Sequence, residues 1–225
     1  MKRVIVIGAI VAATALAGSA VVYGPKLLAG YRFMNAVDQH DAEYQANGGA
    51  WPQRQDTCTL CHGARGQPGN AQYAALAGQP ASYIETQLQA FAEGRRHSAQ
   101  MSPLAANLTD EQIKYLANYF AQQKPGVTEV TTTDESLQQH GQRTVAANGC
   151  VACHGEKLSG GPLAPRIAGQ GQLYLTDQLM AFKLGQRKDP TQAMNALAGS
   201  LSEDDIRAVA HYLANLTAAA IPGGQ

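Results

Sequence analysis

Two stretches of the chain are the same stretch written twice. LAGQPASYIETQLQAFAEGRR, beginning at Leu76, lies over IAGQGQLYLTDQLMAFKLGQR, beginning at Ile167, at a constant offset of 91 residues. After a two-residue insertion, MSPLAANLTDEQIKYLANYF from Met101 lies over MNALAGSLSEDDIRAVAHYL from Met194 at an offset of 93. A chain of 225 residues that repeats itself at this period is two small domains in tandem and not one larger one. Each copy carries helical periodicity and no strand alternation. LTDEQIKYLANYFAQQ and LSEDDIRAVAHYLANL each open on a Thr or Ser cap, place acids in the first turn and space apolar residues by three and four. A second helix is predicted ahead of each methionine, over residues 80–93 and 172–184, so the fold class is all-α.

All four cysteines fall in two copies of one motif, CTLCH (Cys58, Cys61, His62) and CVACH (Cys150, Cys153, His154). CxxCH is the attachment signature of c-type haem: two thiols three residues apart reach the two vinyl groups of one porphyrin, and the adjacent histidine lies beneath the iron. A redox dithiol needs only one CxxC, and a four-cysteine zinc site leaves both following histidines unexplained. Two haem c groups are therefore expected. A domain of this size buries little protein surface, and a porphyrin supplies the missing apolar centre.

Each copy also holds a methionine 39 or 40 residues after its histidine, Met101 after His62 and Met194 after His154. Nitrogen on one face and thioether sulfur on the other complete a six-coordinate iron and favour its ferrous state. Other ligands fit less well. His97 has no counterpart in the second copy, Met180 falls inside an apolar helix opposite Gln89, His211 faces Asn118, and His40 and His140 precede the motifs.

The formal net charge is zero, with no basic stripe of the kind nucleic acid selects. The balance is uneven along the chain, because residues 1–35 hold Lys2, Arg3, Lys26 and Arg32 and no acid. Residues 4–23 are free of charge and long enough to cross a bilayer as a helix, with the positive end kept inside. The competing reading is a signal peptide cut at Ala15-Leu16-Ala17. Either way the body lies outside the cytoplasm, anchored to the inner membrane in the first case and free in the periplasm in the second.

The series CxxCHG, (L/I)AGQ, YxxxQLxxFxxGxR, Met and L(S/T)xxxIxxxAxY, twice over, resembles the dihaem bacterial cytochrome c4 family across residues 56–218. The resemblance implies two class I cytochrome c domains packed face to face, His and Met on both irons, and electron carriage in the periplasm towards terminal oxidases. Reduction would then come from a quinol-oxidising complex or a dehydrogenase. The alternatives are a fixed subunit of such a complex, or a dihaem peroxidase or thiosulfate-oxidising enzyme with an open iron. Two departures stand out. Pro165 occupies the position whose carbonyl commonly receives the proximal histidine in this family, whereas the first copy has Ala74 there. The first copy also lacks a clear opening helix before NGGAWPQRQDT, and residues 32–45 are the candidate replacement.

The polar linker around Pro125 and Gly126 places the domain boundary near Val127, giving 1–35 as anchor and connection, 36–127 as first domain and 128–225 as second. Arg96 and Arg187 coincide in the two copies close to the methionine loops and are candidate partners for haem propionates.

Overall fold

The computed structural model describes residues 2–46, 53–126, 134–162 and 164–216, with the side chains at 2–13, 15, 16, 43, 45 and 46 of the first helix outside the description. Val127 and the NGGAWP turn therefore lie outside the described residues, as do most side chains of the apolar run 4–23 and two residues of the candidate cleavage site. The described residues contain helices and no strand.

The chain divides into two units, Met1–Gln53 and Arg54–Gln225. The first is built on one helix, α1 (Lys2–Ala46), which takes in residues 32–45. It also continues through Gly24 and Pro25, where the apolar run ends, because a proline inside a helix removes one backbone hydrogen bond without obliging the chain to turn. Val21, Val22, Leu27, Leu28, Tyr31 and Phe33 stand exposed along it. Among the described residues no helix is long and apolar enough to cross a membrane.

The second unit holds both copies of the repeat. In the first, α2 (Asp56–His62) carries the cysteine motif, and α3 (Ala81–Ala92) packs on both α4 (Met101–Ala106) and α5 (Asp110–Ala121). In the second, α6 (Glu135–Ala147) precedes the motif helix α7 (Val151–His154). There α8 (Gln172–Lys183) packs on α9 (Ala193–Ser200) and on α10 (Glu203–Ala214), and α6 lies across α10.

The sequence reasons for the terminal helices hold at their ends. Thr109 Oγ1 accepts from the Gln112 N–H while Gln112 Oε1 accepts from the Thr109 N–H, a capping box that satisfies two otherwise orphaned donors. Ser202 and Asp205 do the same for α10. Beyond each cap the three-and-four spacing buries Ile113, Leu116, Ala117 and Phe120 in one copy and Ile206, Val209, Ala210 and Leu213 in the other.

Candidate haem centres and the contact between them

Helix α2 places Cys58 and Cys61 about one turn apart with His62 directly after, and it stops at Gly63. The stop has a steric cause. Gly63 has φ of +70°, and a Cβ there would lie 1.9 Å from the Gln67 carbonyl oxygen. Gly155, at φ +81°, ends α7 in the same left-handed region. The chain then folds back so that a carbonyl meets each histidine. His62 Nδ1 lies 2.8 Å from the Ala74 carbonyl oxygen, and His154 Nδ1 lies 2.7 Å from that of Pro165.

A carbonyl only accepts, so Nδ1 carries the proton in both rings and Nε2 is left with a free lone pair. Burial lowers the pKa of both imidazoles, opposed in part by these carbonyl bonds. The rings are thus neutral at ordinary pH and oriented as metal ligands require. Alanine serves as well as proline here, since the acceptor belongs to the backbone.

None of the four cysteines is in a disulfide; Cys153 is exposed and the others are half-buried. Burial pushes the Cys58 and Cys150 thiols up, the reverse of the depressed value that a redox dithiol exploits. Among the described residues no three His, Cys, Asp or Glu are gathered as a bare metal site. Cys58 borders an apolar cluster of Ile84, Leu116, Ala117 and Phe120, and Cys150 borders a larger one that includes Val145, Leu158, Leu175, Leu179 and Ile206. Paired thiols beside an apolar wall, next to a neutral imidazole with an open Nε2, fit a covalently held porphyrin.

Met194 packs against the same apolar cluster as Cys150. Next to it in the first turn of α9, Asn195 ties that turn down by donating to the carbonyls of Phe182 and Arg187. Met101 opens α4, half-buried, with its N–H on Ser98 Oγ at 3.1 Å. The remaining histidines of the second unit have other positions: His97 is exposed, His140 pairs with Asp205 at 2.8 Å, and buried His211 accepts from the Asp134 N–H.

Arg96 and Arg187 stand together in the contact between the copies. Arg96 donates to Gln87 Oε1 at 2.7 Å, Gln178 Oε1 at 2.7 Å and the Tyr174 hydroxyl at 3.2 Å. Arg187 mirrors it, donating to Gln178 at 2.7 Å, Gln87 at 3.0 Å and the Tyr83 hydroxyl at 3.0 Å. Each guanidinium also lies over its own domain's phenylalanine, Phe91 or Phe182. Burial alone would raise the Tyr174 phenol, but the charges of Arg96 and Arg187 outweigh it and hold it below the usual tyrosine value.

Deeper in the same contact is a pair that sequence reading left without a role. Gln170 Oε1 accepts from the Ala75 N–H and its Nε2 donates to the Ala75 carbonyl, both at 2.8 Å. Gln79 makes the same two bonds to residue 166, at 2.9 and 2.8 Å. The signal was present as the glutamine of each repeated AGQ. What a repeat does not reveal is that each glutamine serves the other copy.

Residues 53–124 and 138–217 both match the cytochrome c family. Among curated relatives, a thiosulfate dehydrogenase electron acceptor from Thiomonas intermedia is 35% identical over 75% of this chain and 82% of its own length. Cytochrome c4 from Thiocapsa roseopersicina is 35% identical over 80% of this chain and 93% of its own. The chain belongs to the dihaem cytochrome c4 family. A crystal structure of reduced cytochrome c4 from Pseudomonas stutzeri superposes on this cytochrome with a TM-score of 0.67 at 27% identity, covering 76% of this chain and 97% of the other. The protein is accordingly an all-α electron carrier of the c4 type, with two cytochrome c domains and two haem c groups.

Proposed function

We propose that the protein passes single electrons between respiratory proteins at the outer face of the cytoplasmic membrane, with a dehydrogenase or quinol-oxidising complex as donor and a terminal oxidase as acceptor. The observation that carries this is the duplicated ligand set. Cys58 and Cys61 would hold one haem and Cys150 and Cys153 the other, with His62 and Met101, and His154 and Met194, as the iron ligands, and the boundary between the domains is put near Val127. Haem iron supplies the one-electron chemistry.

The chain supplies everything else. Neutral imidazoles, oriented by the Ala74 and Pro165 carbonyls, present Nε2, and Met101 and Met194, in the first turns of α4 and α9, would supply thioether sulfur. An iron bound by histidine and methionine together would have no position open for a substrate, which favours a carrier over a peroxidase or a thiosulfate-oxidising enzyme. Arg96 and Arg187 each use three of five N–H groups in the interdomain network, which leaves donors for a propionate. The uncharged run 4–23, preceded by Lys2 and Arg3, anchors the protein with its haem domains in the periplasm. The exposed apolar side chains of α1 are consistent with a lipid neighbour.

Relatives named as electron acceptors of thiosulfate dehydrogenase support a dehydrogenase on the donor side. The deciding experiment follows reoxidation of the reduced full-length protein by membranes from its own source. Rapid, cyanide-sensitive oxidation is expected; its absence moves the protein away from oxidases. Reduction by a thiosulfate dehydrogenase given thiosulfate tests the donor side separately.

A further inference from the structure

The carbonyl of Ala74 and the N–H of Ala75 belong to one peptide group, and so do the carbonyl of Pro165 and the N–H of Arg166. This turns two separate sets of hydrogen bonds into two continuous relays. In one, Gln170 Oε1 accepts from the Ala75 N–H at 2.8 Å, and the other end of that peptide accepts from His62 Nδ1 at 2.8 Å. In the other, Gln79 Oε1 accepts from the Arg166 N–H at 2.9 Å, and the far end accepts from His154 Nδ1 at 2.7 Å. Each relay crosses between the domains: the glutamine comes from one and the histidine from the other.

We propose that Gln79 and Gln170 are reciprocal positioning residues, each tuning the reduction potential of the haem in the opposite domain through the peptide that holds its proximal histidine. Hydrogen bonds in series polarise one another, and the effect is strongest where water is excluded. Gln79 and Gln170 are both 3% exposed, Ala75 is 3% and Arg166 2%. An acceptor on the N–H makes the carbonyl of the same peptide more negative. That carbonyl draws the histidine Nδ1 proton more strongly, and the ring becomes a more basic ligand. A more basic ligand favours ferric iron. The amide pairing is also bidentate, because Nε2 of each glutamine returns a bond to the carbonyl of the residue whose N–H it accepts. Rotating or separating the domains therefore breaks the acceptor contact on both histidine-holding peptides together. A partner that docks across the contact can shift both potentials without touching either porphyrin.

The inference rests on His62 and His154 being the proximal ligands of the two haems, and the test separates the two ideas. Gln170→Leu and Gln79→Leu are made in the full-length holoprotein and the optical spectrum is recorded first. Loss of one haem's six-coordinate signature in each of two controls, His62→Ala and His154→Ala, confirms the ligand assignment; if either control leaves the spectrum intact, the ligand reading fails, and the inference falls with it. With ligation confirmed, potentials are titrated by haem-resolved NMR. Gln170→Leu is expected to raise the potential of the first-domain haem and Gln79→Leu that of the second, each by up to a tenfold change in the reduction equilibrium, 59 mV for one electron. The crossed pattern is what a merely structural role would not produce. Equal shifts at both haems, a shift confined to the mutated domain, or no shift overturns the proposal. Should the leucine variants not fold, Gln170→Glu and Gln79→Glu keep an acceptor in place. Each is then expected to lower the potential of the opposite haem more than that of its own, and the reverse order overturns the proposal.

Discussion

In the second domain α10 is held between two helices, α6 on one side and α8 on the other, and its buried face joins a cluster running from Val145 to Leu213. In the first, α5 packs on α3, and among the described residues of the same unit no helix takes the place of α6. The buried cluster there is Ile84, Leu116, Ala117 and Phe120. The same motif with the same histidine geometry therefore sits in two different mechanical settings. A duplicated domain can keep its chemistry unchanged while the sources of its stability diverge, and the sparser copy depends more on its cofactor.

Removing covalent attachment from one domain at a time is the strongest way to break that comparison. Cys58→Ala with Cys61→Ala is expected to cost the first domain roughly 5 kcal/mol or more, the whole stability of a small domain, and to unfold α3 to α5. Cys150→Ala with Cys153→Ala should leave residual helix in the second, where α6 and α10 pair without help from haem. Far-UV circular dichroism and limited proteolysis of the two variants read the difference. Equal losses would mean that the protein clusters contribute equally after all.

The α6–α10 pairing has its own test. A Cβ at Gly141 would lie 2.1 Å from the Ala208 carbonyl oxygen, so α6 approaches α10 only because no side chain intervenes. Gly141→Ala forces backbone apart and is expected to cost about 3 kcal/mol. For a domain of this size that lowers its Tm by roughly 12–24 °C, with the effect confined to the second domain. Thermal unfolding followed at each haem separately checks the confinement.

Sequence made the attachment chemistry legible because it is local. Cys58, Cys61 and His62 share one turn of helix, and their spacing is the reaction's own requirement. Met101 and Met194 stand out only through the repeat, which sets two ordinary methionines at equivalent positions and makes them the proposed ligands. The terminal helices were readable from their caps and periodicity. The roles of Gln79 and Gln170 were not, and neither was the company kept by Arg96 and Arg187. Those contacts exist only once two copies meet, and an alignment of one copy on the other shows that residues recur without showing whom they touch. The extent of α1 was also hidden, since Gly24-Pro25 reads as a stop when only local propensity is weighed.

Arg166 sharpens the comparison at the haems themselves. It has no counterpart in the first copy, where Ala75 stands, and it is buried with its guanidinium on the carbonyls of Ala77 and Ala168. Burial brings its pKa down to about 10, so it stays charged at neutral pH. Among the described residues no carboxylate pairs with it. An unpaired buried cation beside the Pro165 peptide disfavours ferric iron in the second domain. At an effective dielectric of ~20, a unit charge acts on another across ~10–20 Å with an energy on the order of 1 kcal/mol. The second haem is thus expected to have the higher potential, and Arg166→Met to lower it towards the first. A potentiometric titration in which the two potentials stay as far apart as in the wild type would remove Arg166 as the source of the asymmetry.

The smallest effect separates the two caps. Thr109→Ala and Ser202→Ala should each cost about 1 kcal/mol at neutral pH, since both hydroxyls close equivalent boxes. The partners differ: Gln112 does not titrate, whereas Asp205 does. The Ser202 side chain, the Ser202 backbone N–H and His140 hold the Asp205 carboxyl below its ordinary value. A depressed pKa means that this stabilisation is fully present above the unfolded value, near 3.9, and is lost as pH falls through the folded one. Acidification below about pH 4 should therefore loosen α10 at its start more than α5, where the box partner Gln112 keeps its bond although the Glu111 carboxyl, held low by its own backbone N–H and the Thr109 hydroxyl, is also protonated; Asp205→Asn should bring the two helices to the same pH dependence. Hydrogen exchange at the first-turn amides of α5 and α10, compared at pH 6 and pH 3.5, measures it. The ratio between the two helices cancels the intrinsic effect of pH on exchange, so a ratio that does not move would show that the box at Ser202 holds without its charge.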